Sequence, residues 1–180
     1  SNMGTHKKVI DQIKSDLLSK DESLVKKALV KTRDKGNEQL IDPLIELYTK
    51  SKNETIKEEI KSILSEIKNK NAVDYLLPHL ESKSNDIKEL TLYALWSSGI
   101  DMTDHIPAIV NAACKGNFMV ILEALTVLEN LEGPFSEEDL IDAHATLQEQ
   151  IHESNNGSEK DLLQSMYEVI QKFENQIDII

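Results

Sequence analysis

The sequence predicts an all-α protein built as a stack of helical hairpins. Three observations predict it. Apolar residues recur at the i, i+3, i+4 spacing of an amphipathic helix along most of the chain. The six glycines and four prolines stand between those segments rather than in runs, and only 4% of residues are aromatic. That composition disfavours a sandwich or barrel. Similar helical segments also return after 30 to 35 residues, a period at which hairpins stack to bury their apolar faces. A length of 180 residues suits one domain, 3–180, with a sizeable core. Ser1 and Asn2 ahead of Met3 read as a cleavage remnant.

The elements follow in order. Residues 5–19 predict an N-terminal capping helix, with Val9, Ile10, Ile13, Leu17 and Leu18 on one face and Lys7, Lys8, Asp11 and Lys14 on the other. Residues 22–33 open the first hairpin and turn Leu24, Val25, Ala28 and Leu29 inward. Gly36 ends that helix, because glycine tolerates the left-handed conformation of a helix C-terminus. Asn37 caps the next, which carries Leu40, Ile41, Leu44, Ile45 and Leu47. Pro43 lies in its early turns, where a missing amide costs least. Residues 53–67 repeat the plan with Ile56, Ile60, Ile63, Leu64 and Ile67. Residues 71–81 answer with Val73, Leu76, Leu77 and Leu80, and Pro78 predicts a kink or an early end there.

The hairpin at 84–115 is the centre of the pattern. Its first helix runs from Asp86 to Trp96 and stops at Ser97-Ser98-Gly99. Ile100 is placed for the apolar contact that accompanies a Schellman ending. Its second helix runs from Asp101 through Ile106, Ile109 and Val110 to Cys114, and Gly116 stops it. Residues 117–131 are the most apolar stretch, with Phe118, Val120, Ile121, Ala124, Leu125, Val127, Leu128 and Leu131, so this helix should lie between neighbours. Gly133-Pro134 breaks it. Ser136 then caps a helix with Asp139 at its third position and Phe135 and Leu140 as a hydrophobic staple. Ile141, Ala143, Leu147 and Ile151 continue it. Asn155-Asn156-Gly157 reads as a turn. Ser158 caps a final helix, 158–176, with Leu162, Leu163, Met166, Val169, Ile170 and Phe173, and residues 176–180 are expected to fray.

The pairs Ala28-Leu29, Ile63-Leu64, Ala94-Leu95 and Ala124-Leu125 fall 35, 31 and 30 residues apart. At an offset of 31, Ile56-Lys57-Glu58 lies on Ile87-Lys88-Glu89. On these residues the chain from 21 to 154 resembles the HEAT-like or armadillo-like repeat families, in the short form of bacterial proteins. The fourth hairpin lacks the Ile-Lys element, and its second helix is longer. The resemblance implies a right-handed α–α superhelix of about four HEAT-like hairpins with terminal capping helices. It also implies that the second helices line a concave face that binds a partner. Glu38, Asp42 and Glu46 would stand there, then Asp74 and His79, then Asp104, His105 and Asn111, then Glu138, Asp142 and Gln148. Asp42, Asp74 and Asp142 each follow an inward Ile or Val. The outline is an acidic groove suited to a basic peptide or protein segment. The same residues also fit the ordinary solvated faces of amphipathic helices.

Charge narrows the partner. The net charge is −12 and is uneven: residues 1–70 hold 15 Lys+Arg against 12 Asp+Glu, and residues 71–180 hold 5 against 20. Gly116 to Glu159 contains no Lys or Arg. Nucleic acid is therefore not the expected partner, since a phosphate backbone needs cations. Lys26, Lys27, Lys31, Arg33 and Lys35 read as a solvated basic face. No apolar run approaches the ~18 residues that cross a bilayer. One cysteine, Cys114, excludes an intrachain disulfide and suits a reducing cytoplasm. His144, Gln148 and His152 share a helix stripe without supplying a zinc set. Asp101 or Thr103 as a cap explains the cluster with Asp104 and His105. Repeat-built iron hydroxylases carry several His-Glu pairs, and only His152-Glu153 occurs here. HEAT-like DNA glycosylases carry a basic, aromatic concave face; here Trp96 reads as packing. The expectation is a non-enzymatic protein-binding scaffold without cofactor, monomeric or weakly self-associating. The alternative is a HEAT-like enzyme, a lyase or one acting on nucleic acid, whose site is not visible as a motif.

Overall fold

A computed structural model describes residues 2–35 and 37–178, and the side chains of 4–35 and 37–177. These residues form ten α-helices. They are α1 (Asn2–Leu17), α2 (Glu22–Lys35), α3 (Ile41–Lys50), α4 (Glu54–Ser65), α5 (Ala72–Leu76), α6 (Asn85–Ser97), α7 (Ile106–Cys114), α8 (Phe118–Glu129), α9 (Glu137–Glu153) and α10 (Gly157–Asp178). Single 3-10 turns lie at Glu38–Leu40, Leu77–Glu81 and Thr103–His105. The chain divides into two compact units, Ser1–Leu76 and Leu77–Ile180.

Within each unit a helix packs on its neighbour and on the next but one. In the first unit α1 packs on α2 and α3, α2 on α4, and α3 on α4 and α5. In the second, α6 packs on α8, α7 on α8 and α9, and α10 on α8 and α9. That is the arrangement of stacked helix pairs. The core is aliphatic, as the scarcity of aromatics requires: Ile10, Ile13, Leu17, Leu40, Ile41, Leu44, Ile60 and Leu64 are among its buried members in the first unit. Each such side chain contributes roughly 1.5–3 kcal/mol when fully buried. Helix α8 is enclosed by α6, α7 and α10. Accordingly Val120, Ile121, Ala124, Leu125, Val127 and Leu128 are all buried.

The turns share one chemistry. Asp21, Asn37, Asn53, Asn69, Asp101 and Asn117 each accept, through a side-chain oxygen, a backbone N–H two or three residues ahead. Asn85, at the remaining place in the series, accepts from the backbone N–H of Asn117. These seven positions are spaced by 16 residues. An Asx residue thus stands at each helix-to-helix turn from α1 to α8, and six of the seven satisfy N–H groups of their own turn that a helix start leaves open. Asn amides also reach one repeat back: Asn53 Nδ2 donates to Glu22 at 2.7 Å and Asn69 Nδ2 to Glu38 at 2.9 Å.

Several expected elements differ in detail. The segment 71–81 is not one helix, because Pro78 cannot continue the α-helical hydrogen bonds; α5 ends at Leu76 and a 3-10 turn follows. The start of the helix expected from Asp101 is a 3-10 turn, and Pro107 opens α7 proper. The final helix is capped by Asn156, whose Oδ1 accepts from Glu159 N, rather than by Ser158. That helix continues to Asp178. Leu18, Leu24, Phe118 and Ile141 were expected on packed faces and are exposed, Ile141 to 57%. Gly99 takes the left-handed conformation expected of it (φ 76°). Ser136 caps α9 as expected, while the ring of Phe135 stacks on Phe173 at 4.0 Å. Gly36, Ser1 and the last residues of the apolar tail lie outside the described residues.

Candidate functional site

The second helices carry the polar residues expected to face a partner. In the first unit, Asp42 and Glu46 are one turn apart on α3, so both point from the same stripe. Both are exposed, and so is Asp74 on α5, against which α3 packs. The buried side of α3 explains the placement: Ile41, Pro43, Leu44, Ile45 and Leu47 are all inside. Asp42 and Glu46 border a hollow of about 310 Å³ that Lys14, Leu18, Gln39, Pro43 and Tyr75 complete. Lys14 comes from α1, so the hollow is mixed in charge. Glu46 is further engaged by Lys50 at 2.7 Å. The hollow therefore brings together Asp42 and Glu46, while Asp74 does not line it and only its neighbour Tyr75 does.

In the second unit, His79 is half-buried in the 3-10 turn packed on α7. Asp104 is exposed and His105 half-buried in the turn that opens α7, and Asn111 is exposed on α7. Glu138 and Asp142 are exposed on α9, which packs on α7. Asp101 stands apart from this set: it is the cap. Its Oδ1 accepts from Thr103 N at 3.0 Å and from Thr103 Oγ1 at 2.7 Å. Those two bonds hold its carboxyl below the usual carboxylate range.

Three side chains that the sequence named only for the repeat, a histidine stripe or a basic face take on specific partners in the fold. Lys88 is 4% exposed and donates from Nζ to the carbonyl of Lys115, at the end of α7, at 3.1 Å. A cation there meets the negative end of a helix dipole. Burial, and next the charge of Lys115, lower its pKa. His144 of α9 lies between two residues of α10. Its Nδ1 is 2.8 Å from Glu174 and its Nε2 2.9 Å from the Tyr167 hydroxyl. This Tyr–His–Glu chain ties α9 to α10. Tyr167 and Glu174 are seven residues apart, hence on one helical face, which is the signal that the sequence held. Arg33 spends its donors on Glu59 and Ser62 of α4 and on Glu66 just beyond its end, so it leaves the basic run of α2.

Cys114 is half-buried, and burial pushes its thiol up to about 11. Trp96 donates from its indole to Glu123 and meets Tyr93 edge-on at 5.3 Å. Among the described residues no group of three or more His, Cys, Asp or Glu is placed to hold a metal ion. Among them, too, no helix is long and apolar enough to cross a membrane.

Set against protein-family models, curated proteins and solved structures, the chain matches none of them.

Proposed function

We propose that the chain is a non-enzymatic protein-binding scaffold of HEAT-like hairpins. The exposed carboxylates of its second helices then offer, within each unit, a docking surface for a basic peptide or protein segment. The observation that carries this reading is the pairing of exposed carboxylates on neighbouring packed helices. Asp42 and Glu46 are exposed on α3 and Asp74 on α5, which packs against α3; in the other unit Glu138 and Asp142 are exposed on α9, which packs on α7, and Asp104 in the turn that opens α7. Exposed carboxylates steer a cationic guest and hold it more weakly as salt rises; a basic guest would take the place of Lys50 on Glu46 and share the hollow with Lys14. Leu18, which is exposed, and Tyr75 add apolar and aromatic surface beside Asp42, the kind of surface that anchors a peptide side chain. The 16-residue recurrence of turn caps supports the repeat architecture that the proposal assumes.

The test is affinity capture from native lysate at low salt, with mass-spectrometric identification. It runs beside a variant carrying Asp42→Asn, Asp74→Asn, Asp104→Asn and Asp142→Asn. A specific basic partner retained by the parent, lost by the variant and released by salt supports the proposal. Equal retention by both proteins places the interface elsewhere and refutes it.

A further inference from the structure

The loop between α1 and α2 and the loop between α3 and α4 are built alike. Each reads Ser-Lys-Asx: Ser19-Lys20-Asp21 and Ser51-Lys52-Asn53, 32 residues apart. In each, the serine Oγ accepts the backbone N–H of the Asx residue, at 3.0 and 3.1 Å. The Asx oxygen in turn accepts from the first turn of the next helix, at 3.0 and 2.9 Å. The lysine between them has its backbone fixed on both sides, and its side chain is turned outward. Both lysines are exposed. Neither has an ion-pair partner among the described residues.

These two loops face one hollow of about 430 Å³. Its floor is apolar, from Leu18, Val25, Leu47 and Ile56, and Lys20 and Lys52 stand on its rim. The other charged rim groups are already engaged: Lys50 pairs with Glu46, and Glu22 accepts from Asn53 and pairs with Lys26. A volume of this size lies within the ~300–1,000 Å³ range of small-ligand sites. Two unpaired ammonium groups above an aliphatic floor are complementary to one kind of guest, a carboxylate on an acyl chain. Lysine meets such a head as a point charge, and its methylene stem covers the chain beneath.

We propose that the hollow between the 19–21 and 51–53 loops binds a small acyl carboxylate. Lys20 and Lys52 hold its head, and Leu18, Val25, Leu47 and Ile56 hold its chain. The site shares Leu18 with the hollow beside Asp42 and Glu46, but its argument does not depend on a peptide binding there.

The experiment is an amide-resolved NMR titration of the full chain with decanoate below its micelle concentration. Decyltrimethylammonium, which has the same tail and the opposite charge, runs alongside. The expected result is saturable movement of the amides of residues 18–21, 25 and 51–53 with decanoate alone. In the double variant Lys20→Glu, Lys52→Glu the affinity falls about tenfold. A control, Lys27→Glu with Lys31→Glu, exposed on α2 and away from the hollow, keeps the parent affinity. Both pairs lie at solvent-exposed positions, and circular dichroism confirms that each variant is folded. Three outcomes overturn the proposal: no saturable movement at these amides, equal movement with the cationic amphiphile, or parent affinity in the Lys20/Lys52 variant.

Discussion

Two residues put the protein's buried chemistry to a pH test, and they act with opposite sign. Lys88 loses its water on folding and gains one carbonyl, that of Lys115. Its pKa is lowered from 10.5. Between the lowered value and 10.5 the unfolded chain therefore binds more protons than the folded one, and this residue makes stability rise with pH. The prediction is that the parent gains stability relative to Lys88→Met as pH climbs toward 10.5, read from urea midpoints of the two proteins. A pH-independent difference would show that Lys88 is not desolvated. Cys114 runs the other way. Its thiol is pushed from 9.0 up to about 11, so its contribution is full below 9.0 and declines as pH rises toward about 11. At neutral pH its thiolate fraction is about a hundredfold below that of an unperturbed cysteine. Disulfide-exchange reagents should thus label the folded protein at least that much more slowly than the urea-unfolded chain. Equal labelling rates would contradict the burial of this thiol.

At the scale of elements, the turns are where local chemistry decides structure. Asn53 caps α4 with its oxygen and reaches Glu22 with its amide. Asn53→Ala removes both and should cost about 1–2 kcal/mol in chemical denaturation. Asn53→Asp keeps the capping oxygen but sets a carboxylate against Glu22, so it should recover only part of that loss. Two glycines differ in kind. Gly99 has φ 76° with open space around it, so Gly99→Ala meets only the ~1 kcal/mol of a left-handed alanine. A methyl at Gly116 would fall on Cβ and Cγ1 of Val120 and press on the Ala112 carbonyl. Val120 is β-branched, buried and held in α8, so it cannot swing aside. Gly116→Ala should cost about 1–3 kcal/mol, more than Gly99→Ala, in thermal or urea unfolding. The sequence showed these elements well wherever periodicity and capping agree, as at Asn37, Ser136 and the enclosed helix α8. It blurred the repeat because the apolar pairs drift by several residues, while the Asx caps keep their spacing. The acidic residues of α3 and α9 were legible because exposure follows directly from helical spacing. Lys14 and Tyr75 beside Asp42, or Glu174 beside His144, were not, because those contacts join residues about 30 apart through tertiary packing.

For the whole molecule the governing quantity is charge. Ser1–Leu76 holds 15 Lys+Arg against 13 Asp+Glu, whereas Leu77–Ile180 holds 5 against 19. The first unit can pair its charges, and does so in Arg33 with Glu59 and Glu66 and in Lys50 with Glu46. The second spends one of its five cations, Lys88, on a carbonyl, so its nineteen carboxylates far outnumber the cations left to pair with them. Surface pairs contribute at most about 1 kcal/mol each and weaken with salt. Mutual repulsion among uncompensated carboxylates weakens with salt as well, and its relief is stabilising. Because nineteen acids face five bases in the second unit, repulsion should outweigh pairing there. Raising sodium chloride from low to physiological strength should therefore raise the melting temperature. A net gain of ~1 kcal/mol corresponds to about 2–4 °C for a chain of this size. Amide hydrogen exchange read residue by residue should place the gain in Leu77–Ile180, with the first unit unchanged or slightly weakened as its ion pairs are screened. A melting temperature that falls with salt would mean that attractive pairs dominate both units, and the acidic surface would then be internally compensated rather than open to a cationic guest.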